Sequence, residues 1–188
     1  MRRIWAFSFL LLALFALWGG ITYNRLVRAE QAVAVQWAQL ENVLQRRLDL
    51  VPNLVAATRG IFLQERAIVE AVVQARTRYL ATPPGSPTRV QEAARLEASL
   101  GRLLAVIERY PELRSSEAVQ SLMDEIAGTE NRVAVERRRY NERVRDYNTL
   151  LQRFPTFLVA RIGGFTPRPY FQATRGAEEA PETPLQSP

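Results

Sequence analysis

The chain contains no cysteine, no histidine and, although 25 of its 188 residues are basic, no lysine. The first two absences exclude zinc, iron–sulfur and haem sites of the usual kinds, together with Cys nucleophiles and every His-based general base or triad. A di-iron bundle needs Glu-x-x-His pairs, and none can exist here. Neither a cofactor nor a metal is expected, and no catalytic residue set emerges. Any catalysis has to rest on carboxylates such as Glu41 or Glu130. Lack of cysteine fits either side of a bacterial membrane. The 25 arginines face 19 acids, for a net charge of +6. Because the two signs interleave instead of clustering, they describe a solvated helical surface, and no nucleic acid is expected as partner.

What is abundant comes first in the chain. Arg2 and Arg3 precede residues 4–21, a run of Phe, Leu, Ala and Trp interrupted only by Ser8, Gly19 and Gly20. That is about the length needed to cross a bilayer core as a helix. Ile4, Trp5, Leu12, Trp18 and Ile21 mark the span, with Trp5, Trp18 and Tyr23 at its ends, where interfacial aromatics belong. No A-x-A-like cleavage site follows, so an uncleaved anchor is expected rather than a signal peptide. Positive charge before the run favours a cytoplasmic N-terminus, and hence a single-pass inner-membrane protein with its bulk outside the cytoplasm.

After the anchor, Leu26, Val33, Trp37, Leu40, Leu44, Leu48 and Val51 form one apolar stripe of a helix that continues from the membrane segment. Pro52 poses a choice. The stripe keeps phase through Val55, Thr58 and Phe62, which favours a kink. Length favours a turn, since residues 22–50 and 52–81 would then make helices of roughly 43 and 45 Å, matched for antiparallel packing. Thr82-Pro83-Pro84-Gly85 breaks the chain, and Thr88 with Gln91 offers a capping box for a third helix that Tyr110-Pro111 ends. Ser115 or Ser116 can cap a fourth, stopped by Pro155.

On that fourth helix Ile126, Val133, Tyr140, Tyr147 and Phe154 recur every seven residues, with Ala127, Ala134, Asn141 and Asn148 directly behind. One face therefore mixes aromatic and amide groups. Glu130 and Arg137 lie one heptad apart, and Glu30 and Glu41 occupy comparable places on the Trp37 stripe. Together with Asn141 and Asn148 these make a polar layer, read either as a ligand- or partner-reading surface or as an internal network that fixes helix register. Arg46 and Arg47 can pair with Asp49, bond helix-end carbonyls or hold an anion.

Beyond Pro155, Phe157, Ile162, Phe165, Tyr170 and Phe171 accompany Arg161 and Arg168 in a Pro-punctuated segment. It suits insertion at a membrane interface, with arginines on lipid phosphates, or folding back over the end of a bundle. The tail after Arg175 has three Glu and three Pro and reads as disordered. The expected organisation is a basic flank (1–3), a transmembrane helix (4–23), an antiparallel up-and-down four-helix bundle (24–155), a membrane-proximal aromatic segment (156–173) and a tail (174–188).

Tyr23-Asn24, Trp37, the block 45–54 (QRRLDLVPNL), Tyr110-Pro-Glu-Leu113, the block 128–155, Gly164-Phe165, Pro167, Pro169-Tyr170-Phe171 and the 176–180 stretch occur in one order. In these residues the chain resembles the LemA family of bacterial membrane-anchored helical proteins. The resemblance implies an all-α fold, a four-helix bundle behind an N-terminal membrane segment, and it favours a turn at Pro52. Some members carry a lipoprotein cysteine where this chain has Trp18-Gly19-Gly20, which implies an extracytoplasmic bundle in those members. The family has no established biochemical activity, and one branch is associated with magnetosome membrane biogenesis.

The function expected is therefore non-enzymatic: a membrane-anchored scaffold or adaptor of the cell envelope that binds a membrane or envelope protein. The alternative is a lipid-binding or membrane-organising protein acting through residues 157–171.

Overall fold

A computed structural model of the chain describes residues 2–58 and 66–172. The fold is all-α, with six helices among the described residues: α1 (Arg2–Thr58), α2 (Arg66–Ala81), α3 (Pro87–Arg109), α4 (Pro111–Arg114), α5 (Glu117–Gln152) and α6 (Thr156–Ile162). The count differs from the expected anchor and four bundle helices because the anchor and the first bundle helix are one helix, α1, and two short helices are added, α4 starting at Pro111 and α6 directly after Pro155. Phe62 and the 174–188 tail lie outside the described residues.

Helix α1 joins the apolar run to the first amphipathic stripe without a break, and it is long and apolar enough to cross a membrane. From Trp5 to Leu17 its large side chains are exposed on every side, as a lipid-facing helix requires. Ile4 lies in this helix with its side chain outside the description. From Leu26 onward burial becomes periodic, through Val33, Trp37, Leu40, Leu44 and Leu48.

At Pro52, where the sequence leaves a turn and a kink as alternatives and the family resemblance leans to the turn, the helix runs on. Helix α1 passes through Pro52 and ends at Thr58, and α2 starts only at Arg66. A proline inside a helix leaves the carbonyl four residues back without its usual donor. Here that carbonyl is Leu48 O, and Arg76 Nε donates to it at 3.3 Å. Proline is tolerated because α2 supplies the missing hydrogen. Thr58 Oγ1 donates to Leu54 O and Val55 O at 2.9 and 3.1 Å in the last turn.

Helix α3 also starts differently from the capping box expected at Thr88. Ser86 is the N-cap, its hydroxyl accepting from Arg89 N at 3.2 Å, and Pro87 takes the first helical position, where its missing N–H costs nothing. Tyr110 ends α3 and α4 adds one turn. Helix α5 begins directly after Ser116, whose carbonyl accepts from Gln120 N at 2.9 Å.

The chain forms two compact units. The first comprises α1 up to Leu40 with Glu136–Tyr170, and the second Glu41–Val135 with Phe171. The second has an apolar core of Val51, Leu54, Leu100, Leu103, Ile107 and Ile126, joined by α2 through Val72. The first buries Leu26, Val33, Trp37, Tyr140, Val144 and Tyr147.

Candidate functional site

In the first unit, the heptad stripe of α5 grips the chain that follows it. Tyr147 OH donates to Thr166 O at 3.2 Å and Tyr140 OH to Pro169 O at 2.9 Å. Between them Asn148 makes a reciprocal pair with the backbone of Arg168: its Nδ2 donates to the carbonyl and its Oδ1 accepts from the amide, both at 2.9 Å. A proline-punctuated extended segment has few amides of its own to offer, so side-chain amides and phenols from α5 bond its backbone instead. Arg168 Nη2 then donates to Glu30 Oε1 of α1 at 2.8 Å. Trp37 meets Tyr140 edge-on with centroids 5.4 Å apart. Burial pushes the Tyr140 phenol up to about 12, and burial followed by the Glu30 charge raises that of Tyr147.

Residues 165–170 thus form a strap bonded directly to α5, and α6 (Thr156–Ile162) is the stretch of chain that connects the two. Helix α6 ends in a Schellman arrangement: Phe165 N donates to Ala160 O at 3.0 Å, and Gly164 at φ 73° supplies the left-handed residue. At Gly163 a Cβ would stand 2.8 Å from the Phe165 ring, so glycine there lets that ring pack back and meet Tyr23 edge-on at 5.4 Å. The large apolar groups left exposed here are Phe154 (76% exposed), in the turn just before α6, and Phe157, Leu158 and Ile162 (89% exposed) on α6 itself. Exposed Arg161 lies among them. Between this helix and the end of the apolar run of α1 is a cavity of about 590 Å³, lined by Phe15, Trp18 and Gly20 from α1 and by Leu158, Val159 and Ile162 from α6.

The residues read from sequence as interfacial therefore divide. Phe157, Ile162, Tyr170 and Arg161 are exposed, Phe165 is half-buried against Tyr23, Arg168 is paired with Glu30, and Phe171 is buried. Of the membrane residues, Trp5, Leu12 and Ile21 are exposed and Trp18 is half-buried. Sequence reading missed α6 as a helix and the cavity beside it; Pro155 followed by seven residues and Gly163-Gly164 was the available signal.

In the second unit the polar residues form clusters around two buried arginines. Arg89 donates through Nε to Glu41, and through Nη1 to the carbonyls of Thr82 and, at 3.2 Å, Tyr79. Its guanidinium lies 4.3 Å from the centroid of the Tyr79 ring, and Tyr79 OH donates to Glu41 at 3.1 Å. Burial, reinforced by the Glu41 charge, pushes the Tyr79 phenol up to about 12. Arg47 pairs with Glu97, with Glu130 at 3.7 Å from its second nitrogen. Glu130 is thus matched with Arg47 and not Arg137. Arg137 and Asn141 are half-buried in the first unit, and Arg137 has no carboxylate partner among the described residues. Asp49 receives Gln45 Nε2 at 3.0 Å. Among the described residues no group of three or more Asp or Glu is placed to hold a metal ion.

The sequence profile of the LemA family matches residues 36–184. The chain is 27% identical over 191 residues to magnetosome protein MamQ 2 of Paramagnetospirillum magneticum, an alignment covering 88% of this chain and 69% of that protein. To magnetosome protein MamQ of Magnetospirillum gryphiswaldense it is 26% identical, with the same coverage of each.

Proposed function

Since the chain belongs to the LemA family, we propose that it is a non-enzymatic, membrane-anchored scaffold of the bacterial envelope that works at the bilayer surface through α6. The observation that carries this reading is the exposed row of Phe154, Phe157, Leu158 and Ile162 in the unit that contains the lipid-facing part of α1. Contiguous exposed apolar groups mark a surface meant for lipid or for a partner. Here the row adjoins, across one cavity, the Trp18 end of the apolar run, where a membrane interface lies. Arg161 within the row suits lipid phosphate. The strap holds α6 in place: Asn148, Tyr140 and Tyr147 fix residues 166–169, and Glu30 fixes Arg168. In this reading residues 156–173 are the membrane-proximal segment, the N-terminus is cytoplasmic and the helices beyond the anchor are extracytoplasmic in the inner membrane. Resemblance to magnetosome proteins supports a role in arranging a membrane.

The second reading is an adaptor in which the same row docks an envelope protein, since an apolar patch suits either occupant. Photoreactive amino acids at positions 157 and 162 of the full chain, activated in native membranes, separate the two. Lipid adducts are expected at both positions. One stoichiometric protein adduct would replace the lipid surface with an adaptor interface, and quenching by water alone would overturn both.

A further inference from the structure

The cavity beside α6 has a feature that helix packing does not explain. Glycine pairs in membrane helices ordinarily let another backbone approach closely, yet a Cβ built on Gly19 or on Gly20 would meet nothing within 4 Å. The pair opens space instead of closing it. The space, about 590 Å³, lies within the range of about 300–1,000 Å³ typical of sites for small organic ligands. Its walls are the rings of Phe15 and Trp18, 5.7 Å apart by centroid, and the aliphatic side of α6.

The chemistry along the groove is graded. Ala16, Gly20 and Asn24 all line it and lie four residues apart, so they stand in one row along α1. The next residue in that row is Arg28, exposed and without an ion pair among the described residues. Moving along the row, the surface passes from apolar to amide to cation. Toward the N-terminus it is continuous with the exposed apolar surface of the membrane run, Phe7 to Leu17.

We infer that this groove holds one anionic glycerophospholipid drawn from the surrounding bilayer, an acyl chain along Ala16 and Gly20 and the phosphate at Arg28. Continuity with the lipid-facing helix gives the chain its route in, and Arg28 gives the headgroup its sign preference. The site deepens the membrane-surface reading above and rests on it: the bound lipid joins α1 to α6 where they leave the bilayer.

The test is native mass spectrometry of the full chain, extracted in mild detergent from vesicles of phosphatidylglycerol and phosphatidylcholine in equal parts. Wild type is expected to retain one phosphatidylglycerol, preferred about tenfold over phosphatidylcholine. Gly20→Leu, which fills the groove while favouring helix, is expected to lower retention of either lipid about tenfold. Arg28→Gln keeps a retained lipid but removes the preference. Equal retention by wild type and Gly20→Leu, or no headgroup preference in wild type, overturns the site. Phe157 lies outside the groove lining, unlike Ile162, so lipid adducts at position 157 should persist in Gly20→Leu. Their absence in wild type would count against the membrane-surface reading itself.

Discussion

Replacing Arg89 by Met tests how the second unit is held together. The side chain is 9% exposed and joins three elements: Glu41 on α1, the Tyr79 and Thr82 carbonyls at the end of α2, and its own helix α3. Met keeps most of the stem volume and removes the charge and its hydrogen bonds. Glu41, 22% exposed, then keeps only the Tyr79 hydroxyl as a described donor. Removing one member of a largely buried pair strands the other, at a cost of about 3–5 kcal/mol. Glu41→Gln retains an acceptor for both donors and should cost about 1–3 kcal/mol. With Glu41 already neutral, losing Arg89 strands no charge, so the double variant should be about 2 kcal/mol more stable than the sum of the single changes implies. Urea unfolding of the full chain in detergent micelles, followed by far-ultraviolet circular dichroism, measures all four corners of the cycle. A loss below about 1 kcal/mol for Arg89→Met, or additivity within about 0.5 kcal/mol, would refute the cluster as the lock between α1, α2 and α3.

Arg76→Ala should cost about 1–3 kcal/mol by orphaning Leu48 O, and much less in a Pro52→Ala background, where the residue 52 amide supplies the donor; the same unfolding cycle checks it. Asn148→Leu removes both bonds to Arg168, so the Arg168 amide should exchange with deuterium at least about tenfold faster, an opening easier by about 1.4 kcal/mol. Tyr79 and Tyr140, pushed up to about 12 by burial, stay neutral in the fold after unfolded tyrosine ionises near about 10. The unfolded state therefore binds fewer protons over that interval, and stability falls as pH rises from about 10 to about 12, by up to about 3 kcal/mol per tyrosine. Unfolding midpoints across that range should flatten in Tyr79→Phe, and unchanged slopes would contradict the burial account.

The apolar run and the stripe from Leu26 to Val51 were legible because a lipid-facing helix and an amphipathic one follow from local periodicity alone. Pro52 was not, because the donor that lets the helix continue is Arg76, 28 residues away and on another helix. The stripe in phase through Val55 and Thr58 was the better local guide than length matching. The Tyr and Asn repeat on α5 was visible as a face that meets something. That it meets residues 166–169 of its own chain was hidden, since those bonds run to backbone atoms, which carry no sequence signature. Arg168 is held by Glu30, 138 residues distant. Helix α6, at seven residues, is too short to display a period. Its ends were written in Pro155 and Gly163-Gly164, although the exposed row between them emerges only once Thr156 and Ala160 are seen to be buried.

The central claim is that α6 sits in the bilayer surface beside the anchor. The chain has no cysteine, so Phe157→Cys gives one unique attachment point for an environment-sensitive fluorophore. With the full chain reconstituted in bilayers, lipids brominated near the top of the acyl chain should quench that label strongly, and aqueous iodide should quench it weakly. Strong iodide quenching with no effect of brominated lipid would place α6 in water and contradict the account.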